Sequence, residues 1–201
     1  MFNSRRILEI CRTPGFALLA CPLMLFVGCG APVDSQIGAI EGDPQAAADE
    51  VLRLYDADSD GALDAAELDK SPALASALSR MDGNGDGRLT AAELVARFEK
   101  YKMLSTHVPG EVVIFSGDSP VADADVTFVP EPFMGPSIPS YQGVTNANGV
   151  STMTSTPKTP GFVVGFYTVR VQQSDGTESV RGCEIIDDSG FGREIRFDVG
   201  P

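Results

Sequence analysis

Asp56-Ala57-Asp58-Ser59-Asp60-Gly61-Ala62-Leu63-Asp64-Ala65-Ala66-Glu67 is followed, after a short connection from Leu68 to Met81, by Asp82-Gly83-Asn84-Gly85-Asp86-Gly87-Arg88-Leu89-Thr90-Ala91-Ala92-Glu93. Laid one over the other, the two stretches carry oxygen-bearing side chains at the first, third, fifth, ninth and last positions, glycine at the sixth and leucine at the eighth. Crowded carboxylates repel one another at this range unless something cationic sits among them. A hard divalent cation needs about six to eight oxygen ligands, and a loop that wraps around it delivers them at this spacing. The sixth position must turn sharply with positive φ, which Gly61 and Gly87 adopt without a Cβ penalty.

These stretches resemble the loops of EF hands, and the resemblance implies two calcium sites. In the first, the ligands are Asp56, Asp58, Asp60, the Ala62 carbonyl, Asp64 through a water, and bidentate Glu67. In the second, they are Asp82, Asn84, Asp86, the Arg88 carbonyl, Thr90 or a water it holds, and Glu93. Leu63 and Leu89 stand where such families join paired loops by a short β-bridge. An Asp at the ninth position leaves calcium against magnesium open for the first loop. Without a cation, the five carboxylates of that loop predict a loosened module.

The flanks read as helices. Asp43 before Pro44 is a start signal, and Ala48, Val51, Leu52 and Tyr55 recur at helical spacing. Ser71 before Pro72 opens a second helix with Leu74, Ala77, Leu78 and Met81 on one face, and Leu94 and Phe98 continue the pattern after Glu93. These residues read as the module's own core, with a target-binding groove as the alternative. The connection between the loops is shorter than in familiar sensors, which favours a buffering or structural role and resembles the compact EF-hand pairs of bacterial secreted proteins.

Upstream, Arg5, Arg6 and Arg12 precede an apolar run from Gly15 to Val27, too short for a permanent span, so residues 1–28 read as a signal peptide. Phe26-Val27-Gly28-Cys29-Gly30 resembles the lipobox of bacterial lipoproteins, with Phe26 where that family has Leu. The resemblance implies a lipidated Cys29 at a new N-terminus, a tether over 29–42, and anchoring in the cell envelope. Cleavage after Ala31, giving a secreted or periplasmic protein, and an uncleaved anchor are the other readings. Cys11 and Cys21 fall in the removed segment, which leaves Cys183 without a disulfide partner and best read as a small strand residue. The formal net charge of −13 argues against nucleic acid as a partner.

After Met103, β-branched and aromatic runs broken by Gly, Pro and Asn replace the Ala-rich helices. A boundary near His107 to Gly110 divides an EF-hand pair over 43–106 from a β-region over 107–201. Strands are expected over Glu111–Phe115, Asp125–Val129, Tyr141–Thr145, Val150–Thr154, Phe166–Gln173 and Arg193–Val199, with a turn at Asn148-Gly149. Alternation in Tyr167, Val169 and Val171 and in Ile195, Phe197 and Val199 predicts half-buried strands. The expected fold class is α+β: a small all-α EF-hand pair followed by an all-β antiparallel sandwich.

Gly110 to Val112, Ser119 to Val126, Asn146 to Gly149 and Gly161 to Val171 resemble the carboxypeptidase regulatory-like and transthyretin-like sandwiches, which implies a non-catalytic interaction or folding module. The hydrolases of that fold rely on several histidines, whereas this chain has His107 alone, at the region's edge. Phe133, Met134 and Ile138, within the proline-rich segment Pro130 to Tyr141, either present an apolar loop to a partner or fold over the sandwich. The expectation is therefore a calcium-binding, non-catalytic envelope lipoprotein. Its alternative is a calcium-responsive sensor that exposes an apolar face to an envelope protein partner.

Overall fold

The computed structural model describes residues 43–101, 107, 108, 110–155, 161–186 and 195–200. The segment 1–28, Cys29 and the tether 29–42 lie outside the described residues. No helix among the described residues is long and apolar enough to cross a membrane.

Local signals set the helical half. Helix α1 (Pro44–Tyr55) begins where the Asp43 carboxylate accepts the Gln45 amide at 3.0 Å, with Pro44 in the first turn. It ends as the Asp56 amide donates to Leu52 O. Helix α2 (Ala65–Leu68) is a single turn, α3 (Pro72–Met81) is capped by Ser71, and α4 is Ala91–Tyr101. Strands β1 (Ala62–Leu63) and β2 (Leu89–Thr90) pair antiparallel with Leu63 opposite Leu89, the bridge those two leucines predict.

The β-region follows as β3 (His107–Val108), β4 (Glu111–Ser116), β5 (Ser119–Pro120), β6 (Asp125–Pro130), β7 (Tyr141–Val144), β8 (Val150–Thr152), β9 (Thr154–Ser155), β10 (Phe162–Val163), β11 (Gly165–Gln172), β12 (Glu178–Ile185) and β13 (Ile195–Asp198). One sheet has the order β12-β11-β6-β7-β9, antiparallel throughout. In the other, β4 pairs with β13 on one side and with β5 and β8 on the other. β3 pairs with β10, so His107 lies in a strand at the edge of the β-region. Phe128, Tyr141, Phe162, Tyr167 and Phe197 fill the space between the sheets, with Phe128 and Phe162 centroids 4.7 Å apart.

An α-helical pair followed by mainly antiparallel sheets is the expected α+β class, with differences in detail. β13 runs parallel to β4, because the chain returns to the sheet beside its first strand instead of folding back on a neighbour. The expected strand over Val150–Thr154 breaks at Met153, whose amide donates to Gly110 O at 2.6 Å. Asn148-Gly149 lies in the expected turn: the Asn146 amide donates to Val150 O and the Gly149 amide to Asn146 O, both at 2.8 Å, and Asn146 Oδ1 accepts the amides of Asn148 and Val150. Beyond the turn the chain splits its pairing, β8 joining β4 in the other sheet while β9 returns to β7. Gly149 has φ of 74°, and a Cβ there would fall 2.4 Å from Ile114 O.

Strand β12 was not expected, since Glu178-Ser179-Val180-Arg181-Gly182-Cys183-Glu184-Ile185 shows no clean alternation. It forms because the turn at Asp175-Gly176, with Gly176 at φ 91°, folds it back in full register on β11.

The outer face of β11 and β12 is where the two halves meet. Phe166 and Glu184 are cross-strand neighbours there, as are Thr168 and Gly182. Phe98 and Tyr101 of α4 pack on Phe166 with centroids 5.9 and 6.0 Å away. Phe133 wedges between Tyr55, Phe98 and Phe166 at 6.4, 6.2 and 5.6 Å. The apolar helix face therefore serves more than the module's own core: one continuous hydrophobic cluster joins helices to sheet within the compact unit Ser35–Pro201. Of the two readings of the proline-rich segment, the inward one describes Phe133, Met134 and Ile138, all buried.

Candidate metal centres

Each loop leaves a helix, crosses the β1-β2 pair at its eighth position, and enters the next helix with its ninth residue as cap. In loop 1, Asp64 caps α2: its carboxylate accepts the Glu67 amide at 3.0 Å, and Glu67 Oε2 accepts the Asp64 amide at 3.0 Å. Glu67 Oε1 accepts the Ala57 amide at 2.6 Å, which stretches this buried carboxylate across the mouth of the loop. Loop 2 repeats the arrangement. Glu93 Oε1 accepts from the Gly83 amide at 3.0 Å and Oε2 from the Thr90 amide at 2.9 Å, with the Thr90 hydroxyl at 2.8 Å.

The first residue of each loop gathers amides from the turn. Asp56 accepts from Asp60 at 3.2 Å and Gly61 at 3.0 Å; Asp82 accepts from Gly85 at 2.6 Å and Gly87 at 2.8 Å. The fifth residues follow suit, Asp60 accepting the Ala62 amide and Asp86 the Arg88 amide. Gly61 and Gly87 take the positive φ expected of them, at 88° and 80°. The fourth position also turns left-handed: Gly85 does so at 77°, whereas in loop 1 Ser59 adopts φ of 60°.

Carboxylate oxygens of Asp56, Asp58 and Asp60 lie within 4.8 Å of one another. Desolvation, with the charges of Asp60, Glu67 and Asp56, pushes the Asp58 carboxyl above its usual range. Asp60 moves the other way because the Arg88 guanidinium reaches it from loop 2 and the Ala62 amide adds to the effect. In loop 2 the Gly87 and Gly85 amides hold Asp82 low, and the Thr90 amide and hydroxyl hold Glu93 low.

All twelve residues singled out by the spacing therefore line two loops of one design: Asp56, Asp58, Asp60, Ala62, Asp64 and Glu67, then Asp82, Asn84, Asp86, Arg88, Thr90 and Glu93. The donor set fits a hard cation. A carboxylate has about four lone-pair sites, so the amide bonds orient these groups and leave acceptor capacity for a metal. Cys29 lies outside the described residues.

Outside the loops, Cys183 is a free thiol on β12, pushed up to about 12 by burial, in keeping with an unreactive strand residue. Sequence reasoning missed two buried carboxylates at the helix–sheet junction. Glu131 accepts the Tyr55 hydroxyl and the Thr168 hydroxyl, both at 2.9 Å. Glu184 accepts from Arg80, Arg97 and Tyr101. Nothing local marks either residue, because their partners are distant in the chain; the Asp175-Gly176 turn was the one available pointer to β12.

No curated protein and no solved structure matches the chain. A family model described as EF hand matches residues 48–70 and again residues 74–98. Residues 48–98 are accordingly a tandem EF-hand pair, a module suited to calcium, joined to a β-rich C-terminal region.

Proposed function

We propose that the protein is a non-catalytic, calcium-binding component of the cell envelope, with one calcium ion in each loop and a β-region in a structural or interaction role. The observation that carries the reading is the repeated position of Glu67 and Glu93, each bridging the start of its loop to the cap of the next helix. The role is support more than switching, because the apolar face that a sensor would expose already lies on Phe133 and Phe166. Export through residues 1–28 and anchoring through Cys29 rest on the targeting pattern, and the absence of catalysis on the sequence, which holds one histidine.

Calorimetric titration of the full chain tests the core of this reading. Two ions bound at roughly 10⁻⁴ to 10⁻³ M, the range of extracellular modules, are expected. No heat above dilution would remove the calcium reading, and a calcium-driven rise in hydrophobic-dye binding would restore the sensor. Loss of palmitate incorporation in Cys29→Ser, against incorporation in the parent, tests the anchor.

A further inference from the structure

We propose that Glu184 is the positioning residue of the second metal loop: from the sheet, it ties the helix entering that loop to the helix leaving it and so fixes the span between Asp82 and Glu93. The inference rests on the calcium reading above and assigns a role to a strand outside the EF-hand pair.

Loop 2 begins at Asp82, directly after α3, and ends at Glu93 in the first turn of α4. Arg80 lies in the last turn of α3, while Arg97 and Tyr101 lie one and two turns beyond Glu93 on α4. All three converge on one carboxylate. Arg97 makes a two-pronged contact with Glu184, Nε to Oε1 at 2.7 Å and Nη2 to Oε2 at 2.8 Å. Tyr101 donates to Oε1 at 2.7 Å, and Arg80 Nε reaches Oε2 at 3.0 Å. The Glu184 side chain is fully buried and that of Arg97 nearly so, whereas the Arg80 side chain is 44% exposed.

Two residues earlier on the same strand, Gly182 lets α3 sit directly on β12, where a Cβ would fall 1.6 Å from Pro72 O. The first turn of α3 is thus fixed by contact, its last turn by Arg80, and α4 by Arg97 and Tyr101. A rotation of either helix must break charge-assisted bonds inside a low-dielectric pocket, which strongly disfavours it. Since the twelfth-position carboxylate completes a site only at the right distance from the first, fixing the two helices fixes the site before an ion arrives.

Loop 1 lacks this arrangement. Its entering helix is tied through Tyr55 to Glu131, but its leaving helix α2 is one turn long and carries no described ion pair to the sheet. Glu184 should therefore matter for one loop and not the other.

Calcium titration of the full chain with one loop silenced at a time tests this. Glu67→Gln reports loop 2, and Glu93→Gln reports loop 1. Adding Glu184→Gln is expected to weaken loop 2 about tenfold, the scale of outer-shell effects on metal affinity, and loop 1 by less than about twofold. Because affinity and conformation are linked reciprocally, calcium should slow hydrogen exchange of the β12 amides in Glu67→Gln and not in Glu93→Gln. Unchanged affinity at loop 2, or equal losses at both loops, would overturn the proposal. Should Glu184→Gln lose its calcium-free near-ultraviolet dichroism, Arg80→Met decides: its exposed side chain can be removed while Arg97 and Tyr101 keep Glu184, and a smaller, loop-2-selective loss is expected. No selectivity there would also overturn the proposal. Silenced parents that bind no calcium at all would instead remove the calcium reading on which it stands.

Discussion

Loop 1 and loop 2 solve one problem by different means. Loop 1 offers five carboxylates, Asp56, Asp58, Asp60, Asp64 and Glu67, against three in loop 2, where Asn84 and Thr90 replace charged residues. Charge density raises the attraction for a cation and the self-repulsion without one; at Asp58 desolvation comes first, and the charges of Asp60, Glu67 and Asp56 add to it in raising the carboxyl. Loop 2 carries less charge but lies between two helices gripped by a buried carboxylate of the sheet. On the proposed reading of both loops as calcium sites, the contrast would separate two contributions to metal affinity, field strength and preorganisation, within one module. Arg88 connects them, since its guanidinium pairs with Asp60 across the β1-β2 bridge.

Phe133→Ala should have the largest effect and should strike both loops. It opens a cavity shared by Tyr55 of α1, Phe98 of α4 and Phe166 of the sheet. A loss of about 4 kcal/mol in urea unfolding is expected, with weaker calcium binding at both loops. A loss confined to one loop would show that the core does not hold them as a pair.

Gly182→Ala should separate the loops. The added methyl must displace α3 from β12, at a cost of about 3 kcal/mol, and loop 2 should lose more affinity than loop 1. Equal effects in paired titrations would argue that the helix contact does not shape the loop.

Acid should act with opposite signs on Asp58 of loop 1 and on Asp82 and Glu93 of loop 2 in the calcium-free protein, with Asp60 of loop 1 following the latter two. Asp82 and Glu93 have folded pKa values below their unfolded ones, so their contribution is present above about pH 4 and is lost as pH falls through the folded values. Asp58 is raised, so its ionisation is unfavourable in the fold and the penalty is relieved as pH falls toward the unfolded value near about 4. Carboxyl-carbon NMR titration with chelator present should place Asp58 above the ordinary Asp range and Asp82 and Glu93 below the ordinary range of their types; reversed directions would remove the electrostatic contrast. Ser59→Gly should have the smallest effect. It relieves a left-handed serine in loop 1, offset by a more flexible unfolded chain, for a gain of roughly 0.5 kcal/mol in calcium-free thermal unfolding.

The two halves differ in how far they could be read. Turn glycines, the Asp43 and Ser71 caps and the Leu63–Leu89 pairing depend on contacts within a few residues or on a repeated motif, and each appears where the spacing puts it. In the β-region, single strands such as β6 and β11 were legible from alternation, but their partners were not. Parallel pairing of β13 and the departure of β8 to β4 depend on residues far apart in the chain, while β12 forms locally on its turn but lacks the alternation that would have marked it.

What the sequence determined by itself is the order of oxygen donors around each loop, because a wrapping turn uses positions fixed along the backbone. Helical periodicity likewise determined that α1, α3 and α4 bury one face, but not what covers it. Only the tertiary structure decided that. It placed Phe133, Phe166, Gly182 and Glu184 against the helices. A buried carboxylate needs partners in its pocket, hydroxyls at Glu131 and cations with a hydroxyl at Glu184, and only the folded chain brings Arg80, Arg97 and Tyr101 to Glu184.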